Sequence, residues 1–219
     1  DNAINIILLN GKVIKEISKN IAGLSILNYN DINSSNSLGK FLELSDYITI
    51  NISSPNTPGL RNLQFGEALD NLLSALKNRQ AELAEEFQRY VPMAVKVAPD
   101  LTLEEVQQLS ECFSRVGIDA VIATNTTLSR EAVAGLAHAD EAGGLSGKPV
   151  FAKSTEIVRQ FRQALPADMP IIAAGGIMSA EDAMQKLEAG AQLIQIYSGL
   201  IYQGPKLIQD IVKTIQKRK

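Results

Sequence analysis

The sequence predicts an α/β protein of the (β/α)8 TIM-barrel type, with about six of the eight strand-helix units present in these 219 residues. Three observations lead there. Short, almost continuously apolar runs alternate with helix-period segments, the pattern of a parallel sheet covered on both faces. Five of the runs end in polar or glycine-bearing tails, and barrels build their sites from the ends of several strands. A dinucleotide-binding sheet would instead concentrate its signal in one Gly-rich turn after the first strand, and none is present.

In chain order, a weak strand is expected at 21–27, then a polar loop at 28–37 too poor in apolar groups to pack. Clear strands follow at Tyr47–Ile52, Met93–Ala98, Asp119–Thr124, Pro170–Ala174 and Gln192–Tyr197. The longest helix spans Phe65 to Tyr90, with Leu69, Leu72, Leu73, Leu76 and Leu83 on one face. Thr102-Leu103-Glu104-Glu105 is a capping box, and Gly117 suits the left-handed end of the helix it starts. Ser179 opens a further helix that Gly190 stops, and Pro205 stands at the first turn of a last one, Lys206–Lys219. Its basic end reads as a solvated terminus that suits the helix dipole.

Composition excludes several chemistries. One Cys (Cys112) and one His (His138) exclude a disulfide framework and a Cys/His metal centre, so no metal is expected. A Ser-His-Asp triad would need His138, which sits in a polar, Ala-rich stretch away from any strand end. Cys112 reads as a small core residue, and Phe87 and Tyr90 as packing. The net charge of −3 gives no reason to expect nucleic acid, and no apolar run is long enough for a membrane helix. Chemistry should therefore run on hydroxyls, amides, a lysine or a bound cofactor.

The strand tails carry such groups. In Asn51-Ile52-Ser53-Ser54-Pro55-Asn56-Thr57-Pro58-Gly59-Leu60-Arg61, two prolines stiffen a loop dense in amides and hydroxyls, suited to a polar, planar ligand. The plainer reading is turn composition after a strand. Lys96 is a cation in an apolar strand and needs an anion, for which Asp100 is one partner. Gly175-Gly176 and Tyr197-Ser198-Gly199 either permit tight turns or let backbone amides approach a phosphate.

The Asn51–Arg61 segment resembles the signature of the dihydroorotate dehydrogenases, specifically their quinone-using, membrane-associated class 2, since Ser54 stands where class 1 members carry Cys. The resemblance continues in order through Val95-Lys96-Val97-Ala98-Pro99-Asp100, Ile122-Ala123-Thr124-Asn125-Thr126-Thr127, Gly143-Gly144-Leu145-Ser146-Gly147, Ala173-Ala174-Gly175-Gly176-Ile177 and Gln195-Ile196-Tyr197-Ser198-Gly199. It covers residues 47–212 of what is expected to be one FMN-binding barrel domain, 1–219, with 1–46 divergent.

The resemblance implies oxidation of dihydroorotate to orotate, with hydride passing to FMN and then to a quinone. It implies Ser54 as base, with Thr57 as its proton relay. Asn51, Asn56, Asn125 and Thr126 would grip the substrate. Asn51, Lys96, Thr124, Gly147, Gly176, Tyr197 and Ser198 would hold FMN, with Lys96 at the pyrimidine edge and Gly147 in a glycine-rich, mobile-looking loop. The implied location is peripheral, on the cytoplasmic side of the bacterial inner membrane, or the mitochondrial inner membrane in a eukaryote.

Residues 1–20 match neither the family's opening helical segment nor its first two strands, and Gly23-Leu24-Ser25-Ile26-Leu27-Asn28 departs from its third-strand motif. The quinone site and membrane contact are therefore expected in sequence that these residues do not contain, and a barrel two units short should bind FMN weakly alone. Two alternatives stay open: a non-catalytic piece that needs further segments, and a related FMN barrel acting on another pyrimidine.

Overall fold

The computed structural model describes residues 4–9, 12–17, 46–56, 61 and 64–218. The expected strand at 21–27, the loop at 28–37, the Gly23–Asn28 motif and Thr57 lie outside the described residues.

One seven-stranded sheet organises the chain, in the order β2-β1-β7-β6-β5-β4-β3. Its parallel part comprises β3 (Ile48–Asn51), β4 (Met93–Val97), β5 (Ala120–Ala123), β6 (Ile171–Ala174) and β7 (Leu193–Ile196). Each lies within one or two residues of its predicted span. Between them run α1 (Gly66–Phe87), α2 (Leu103–Val116), α3 (Phe151–Ala164) and α4 (Ala180–Glu188); α5 (Ser198–Gln203) and α6 (Lys206–Lys217) follow β7.

The opening of the chain differs from expectation. β1 (Ile4–Leu9) and β2 (Lys12–Ile17) form an antiparallel hairpin, and β1 pairs antiparallel with β7. A barrel closes by pairing its last strand in parallel with its first; here an antiparallel strand takes that edge. The register Leu9↔Lys12 leaves only Asn10 and Gly11 between the strands, and Asn-Gly favours two-residue hairpin connections.

Strand alternation sorts the sheet into two faces. Val95, Val97, Val121, Ala123, Ile171 and Ala173 face the helices and share one buried cluster with Leu69, Leu73, Leu109, Phe113 and Phe161. Phe113 and Phe161 stack with ring centroids 6.5 Å apart, joining α2 to α3. Each such fully buried side chain is worth about 1.5–3 kcal/mol. The opposite face carries Ala94, Ala120, Ile122, Ile172 and Ala174, with Lys96 and Gln195 toward the carboxyl ends.

The caps form as predicted. Thr102 Oγ1 accepts from the Glu105 amide while a Glu105 carboxylate oxygen accepts from the Thr102 amide, and Gly117 takes φ +79°. Ser179 Oγ accepts from the Asp182 amide at 3.1 Å. α1 ends at Phe87 rather than Tyr90, because Gln88 turns left-handed. Tyr90 is consequently not helical packing. It is 55% exposed, and its hydroxyl donates to Asp119, whose carboxylate also takes the Met93 amide at 2.8 Å. Burial alone would raise the Asp119 pKa, but these bonds outweigh it and hold the carboxyl below its ordinary value.

Candidate active site

The face of the sheet turned away from the helices opens, at the carboxyl ends of β4 to β7, into a solvent-open cleft. Of the sequence-predicted residues, Lys96, Thr124, Asn125, Thr126, Gly147 and Gly176 line it, as do Tyr197 and Ser198. Gly175 and Gly199, read from the sequence beside them, line it too, and sequence reasoning gave no role to two more lining groups, Ser146 and Gln195. Gln195 is buried, and its Oε1 has no hydrogen-bond partner among the described residues. Such an orphaned acceptor asks for an N–H from a ligand.

One end of the cleft is built of glycine backbone. Gly175 and Gly176 follow β6 with φ +105° and +75°, a region that L side chains rarely enter. A Cβ on Gly176 would sit 2.5 Å from the Phe151 Cα, so the loop after β6 lies directly against the start of α3. A Cβ on Gly199 would meet the Ile177 carbonyl oxygen at 2.0 Å, which closes the loop after β7 onto the same turn. Ser198 Oγ and Ser146 Oγ stand 3.3 Å apart, linking the β7 loop to the segment before Gly147. Behind them Asp182 accepts from Lys148 at 2.7 Å and from the Met178 amide at 2.9 Å. Burial pushes the Asp182 pKa up, but those two donors prevail and it lies below the usual carboxylate value.

The other end is built of side-chain amides and hydroxyls. Asn125 Nδ2 donates to Asn51 Oδ1 and to Ser53 Oγ, both at 3.2 Å. Ser53 is fully buried and its hydroxyl donates to the Lys96 carbonyl at 2.6 Å, tying the β3 loop to β4. Asn51 thus stands one hydrogen bond behind the lining. Ser54 is half-buried and is not among the residues lining the cleft; its Oγ accepts from the Asn56 amide at 3.3 Å. Asn56 Oδ1 in turn accepts from the Gly144 amide at 3.1 Å, so it holds the glycine-rich segment over the Ser54 loop. That segment is further fixed by bridge pairing of Thr127 with Leu145 and by Arg130, which donates to the Gly143 carbonyl at 2.5 Å.

Three loops are clamped together by Arg61, which donates to the Ser53 carbonyl (3.2 Å), Asp100 (3.1 Å) and the Thr126 carbonyl (3.2 Å). Asp100 also accepts from Lys153 at 2.8 Å, from the Leu128 amide at 3.0 Å and from the Thr127 hydroxyl. Burial alone would raise its pKa, but Lys153, Thr127 and Leu128 together hold it below the ordinary value. Asp100 is therefore the partner of Arg61 and Lys153, and Lys96 faces the cleft.

The remaining candidates fall elsewhere. His138 is exposed and pairs with Glu141, away from any nucleophile, and no group of three or more metal-ligating side chains occurs among the described residues. Cys112 is buried and its thiol donates to Asp70; burial and that carboxylate push its pKa up to about 12.

The sequence model of the dihydroorotate dehydrogenases matches residues 9–218. The chain belongs to this family. It is 56% identical over 179 residues to the Dihydroorotate dehydrogenase (quinone) of Shewanella sediminis, and 57% identical over 179 residues to that of Pasteurella multocida. Each alignment covers 82% of this chain and 53% of the relative, so the chain spans about half the length of the curated relatives it matches. Among solved structures it is similar to DHODH from Eimeria tenella in complex with ferulenol. That likeness has TM-score 0.78 and 33% identity, covering 88% of this chain and 55% of the other. The ligand-free Eimeria tenella DHODH gives TM-score 0.76 at 34% identity, covering 87% of this chain and 55% of that one.

Proposed function

We propose that this chain carries the flavin and substrate sites of a quinone-linked dihydroorotate dehydrogenase, within one barrel domain in which 1–46 diverges and 47–212 holds the family blocks. The observation that carries the reading is one cleft with two chemically different ends: a glycine cradle at one side, and the Asn125 amide cluster at the other. The residues fit FMN. The cradle suits a phosphate, the Gln195 acceptor suits the imide N–H of a flavin ring, and Lys96 supplies positive charge where a reduced flavin is anionic. Bound FMN would take up the hydride leaving C6 of dihydroorotate.

The chain's own residues do the rest. Asn125 and Asn51 offer paired donors and acceptors to the substrate ring and carboxylate, with Thr126 and Asn56 beside them. Ser54 Oγ removes the C5 proton. A hydroxyl is a poor base, so it depends on shelter from water, on the Asn56 amide that stabilises negative charge at Oγ, and on Thr57 as relay. Thr124, Gly147, Tyr197 and Ser198 complete the flavin side. The quinone acceptor is carried over from the relatives' name. A peripheral place on the cytoplasmic side of the bacterial inner membrane, or on the mitochondrial inner membrane in a eukaryote, rests on the family resemblance alone; among the described residues no helix is long and apolar enough to cross a membrane.

Ser54→Ala tests this directly. At saturating FMN, flavin affinity should stay within about twofold of the parent chain, while anaerobic flavin reduction by dihydroorotate slows ~10²–10⁴-fold, the usual worth of a positioned base. Unchanged reduction kinetics would remove Ser54 from that role.

A further inference from the structure

Beneath the glycine cradle lies a lysine that the proposed chemistry does not use. Lys186, on α4, is fully buried and does not line the cleft. Its Nζ donates to Ser154 Oγ at 2.5 Å, stands 3.4 Å from the Phe151 carbonyl oxygen and lies 4.9 Å from the centre of the Phe151 ring. On the same ring, Lys148 Nζ lies at 4.6 Å. Ser154 Oγ is 3.1 Å from both the Phe151 and the Gly175 carbonyl oxygens and has one proton to give. The Phe151 carbonyl already accepts from Thr155 at 2.7 Å and faces Lys186, which frees the Ser154 proton for Gly175. The result is a directed chain: Lys186 to Ser154 to the backbone of the Gly175-Gly176 turn.

Resting on the flavin reading above, we propose that Lys186 is a positioning residue for the phosphate end of the cleft. Through Ser154 it fixes the Gly175 carbonyl, and so aims the amides that follow; as a cation under them, it favours a dianionic group above. Burying an ammonium this way costs several kcal/mol unless something repays it, and an apolar side chain would pack the slot at less cost. Successive amides turned toward one point bind anions, and charge behind them adds to the attraction.

The charged groups around Lys186 are Asp182, one turn earlier on α4, and Lys148 across the Phe151 ring. Burial, opposed by Asp182, lowers the Lys186 pKa to about 7. A phosphate above the turn would raise that value, so binding takes up a proton near neutral pH. Affinity for a phosphate-bearing ligand then falls as pH rises through this range. A one-unit rise on binding corresponds to about a fivefold fall between pH 7 and 9.

The experiment compares FMN with riboflavin, which lacks the phosphate, by fluorescence titration of the 219-residue chain and of Lys186→Met, Ser154→Ala and the double variant. The expected result is about a tenfold or greater loss of FMN affinity in Lys186→Met, with riboflavin affinity unchanged and thermal stability kept or raised. Ser154→Ala should lose FMN in the same direction, and the double variant no more than Lys186→Met. The pH dependence of the FMN-to-riboflavin ratio should flatten in Lys186→Met. Equal losses for the two ligands, or an unaltered FMN affinity, would overturn the proposal. Failure of the parent chain to bind either ligand even at millimolar concentration, where the weak binding expected of a barrel two units short still registers, would instead overturn the flavin reading. Amide exchange at Gly175–Ile177 then decides the role of Lys186: acceleration in Lys186→Met supports its hold on the turn, and unchanged exchange refutes it.

Discussion

The two ends of the cleft are made of different material. At the glycine end the binding groups are backbone, held by positive φ at Gly175 and Gly176 and by contact with the start of α3. At the amide end they are side chains that satisfy one another: Asn125 on Asn51 and Ser53, Ser54 on Asn56, Arg61 across three loops. A backbone cradle is rigid and binds what its shape allows. A cluster of mutually bonded amides can exchange those bonds for a ligand's at little net cost. The first end suits a tightly held cofactor and the second a substrate that must come and go.

The largest blow to this contrast is Gly176→Ala. The new methyl would require positive φ and overlap the Phe151 backbone at 2.5 Å, so the turn must move. The expected cost is on the order of 3 kcal/mol or more in chemical denaturation, with FMN affinity lost even where the chain still folds. Asn125→Ala comes next and should act only on the other end. Loss of its hydrogen bonds should raise the KM for dihydroorotate ~10–100-fold, with FMN affinity within about twofold. Parallel losses of both ligands in Asn125→Ala would show that the ends are not separate.

Acid is the mildest probe, and each end has its own carboxylate. Asp182 braces the glycine end through Lys148, and Asp100 the amide end through Arg61 and Lys153. Both have pKa values depressed below 3.8 in the fold. Their contributions to stability are therefore complete above the unfolded value and lost as pH falls through the folded ones. Denaturation midpoints should hold from neutral pH to about 4 and then drop. Asp182→Asn should remove part of that slope and weaken FMN, and Asp100→Asn should remove part of it and weaken dihydroorotate.

What the sequence showed follows the same division. Features set by neighbours along the chain were readable: five strand spans, the Thr102 capping box and the left-handed Gly117 terminus. Features set by distant pairing were not. Arg61 and Asp100 meet across 39 positions, and the sequence offered Asp100 only as one candidate partner for Lys96. The pairing of β1 with β2 had a local signal, Asn10-Gly11 in the sequence between them, yet expectation of an all-parallel sheet hid it. Lys186 left a trace too. It follows Ala183 by three positions, on the buried stripe of α4, where a solvated lysine has no reason to be.

The most direct test of the whole account is anaerobic mixing of the FMN-saturated chain with dihydroorotate or with dihydrouracil, which has the same ring without the carboxylate. The account predicts that dihydroorotate bleaches the flavin absorbance and dihydrouracil does not, because the Asn51–Asn125 end is built to hold that carboxylate. Equal bleaching by both, or bleaching by dihydrouracil alone, would contradict it.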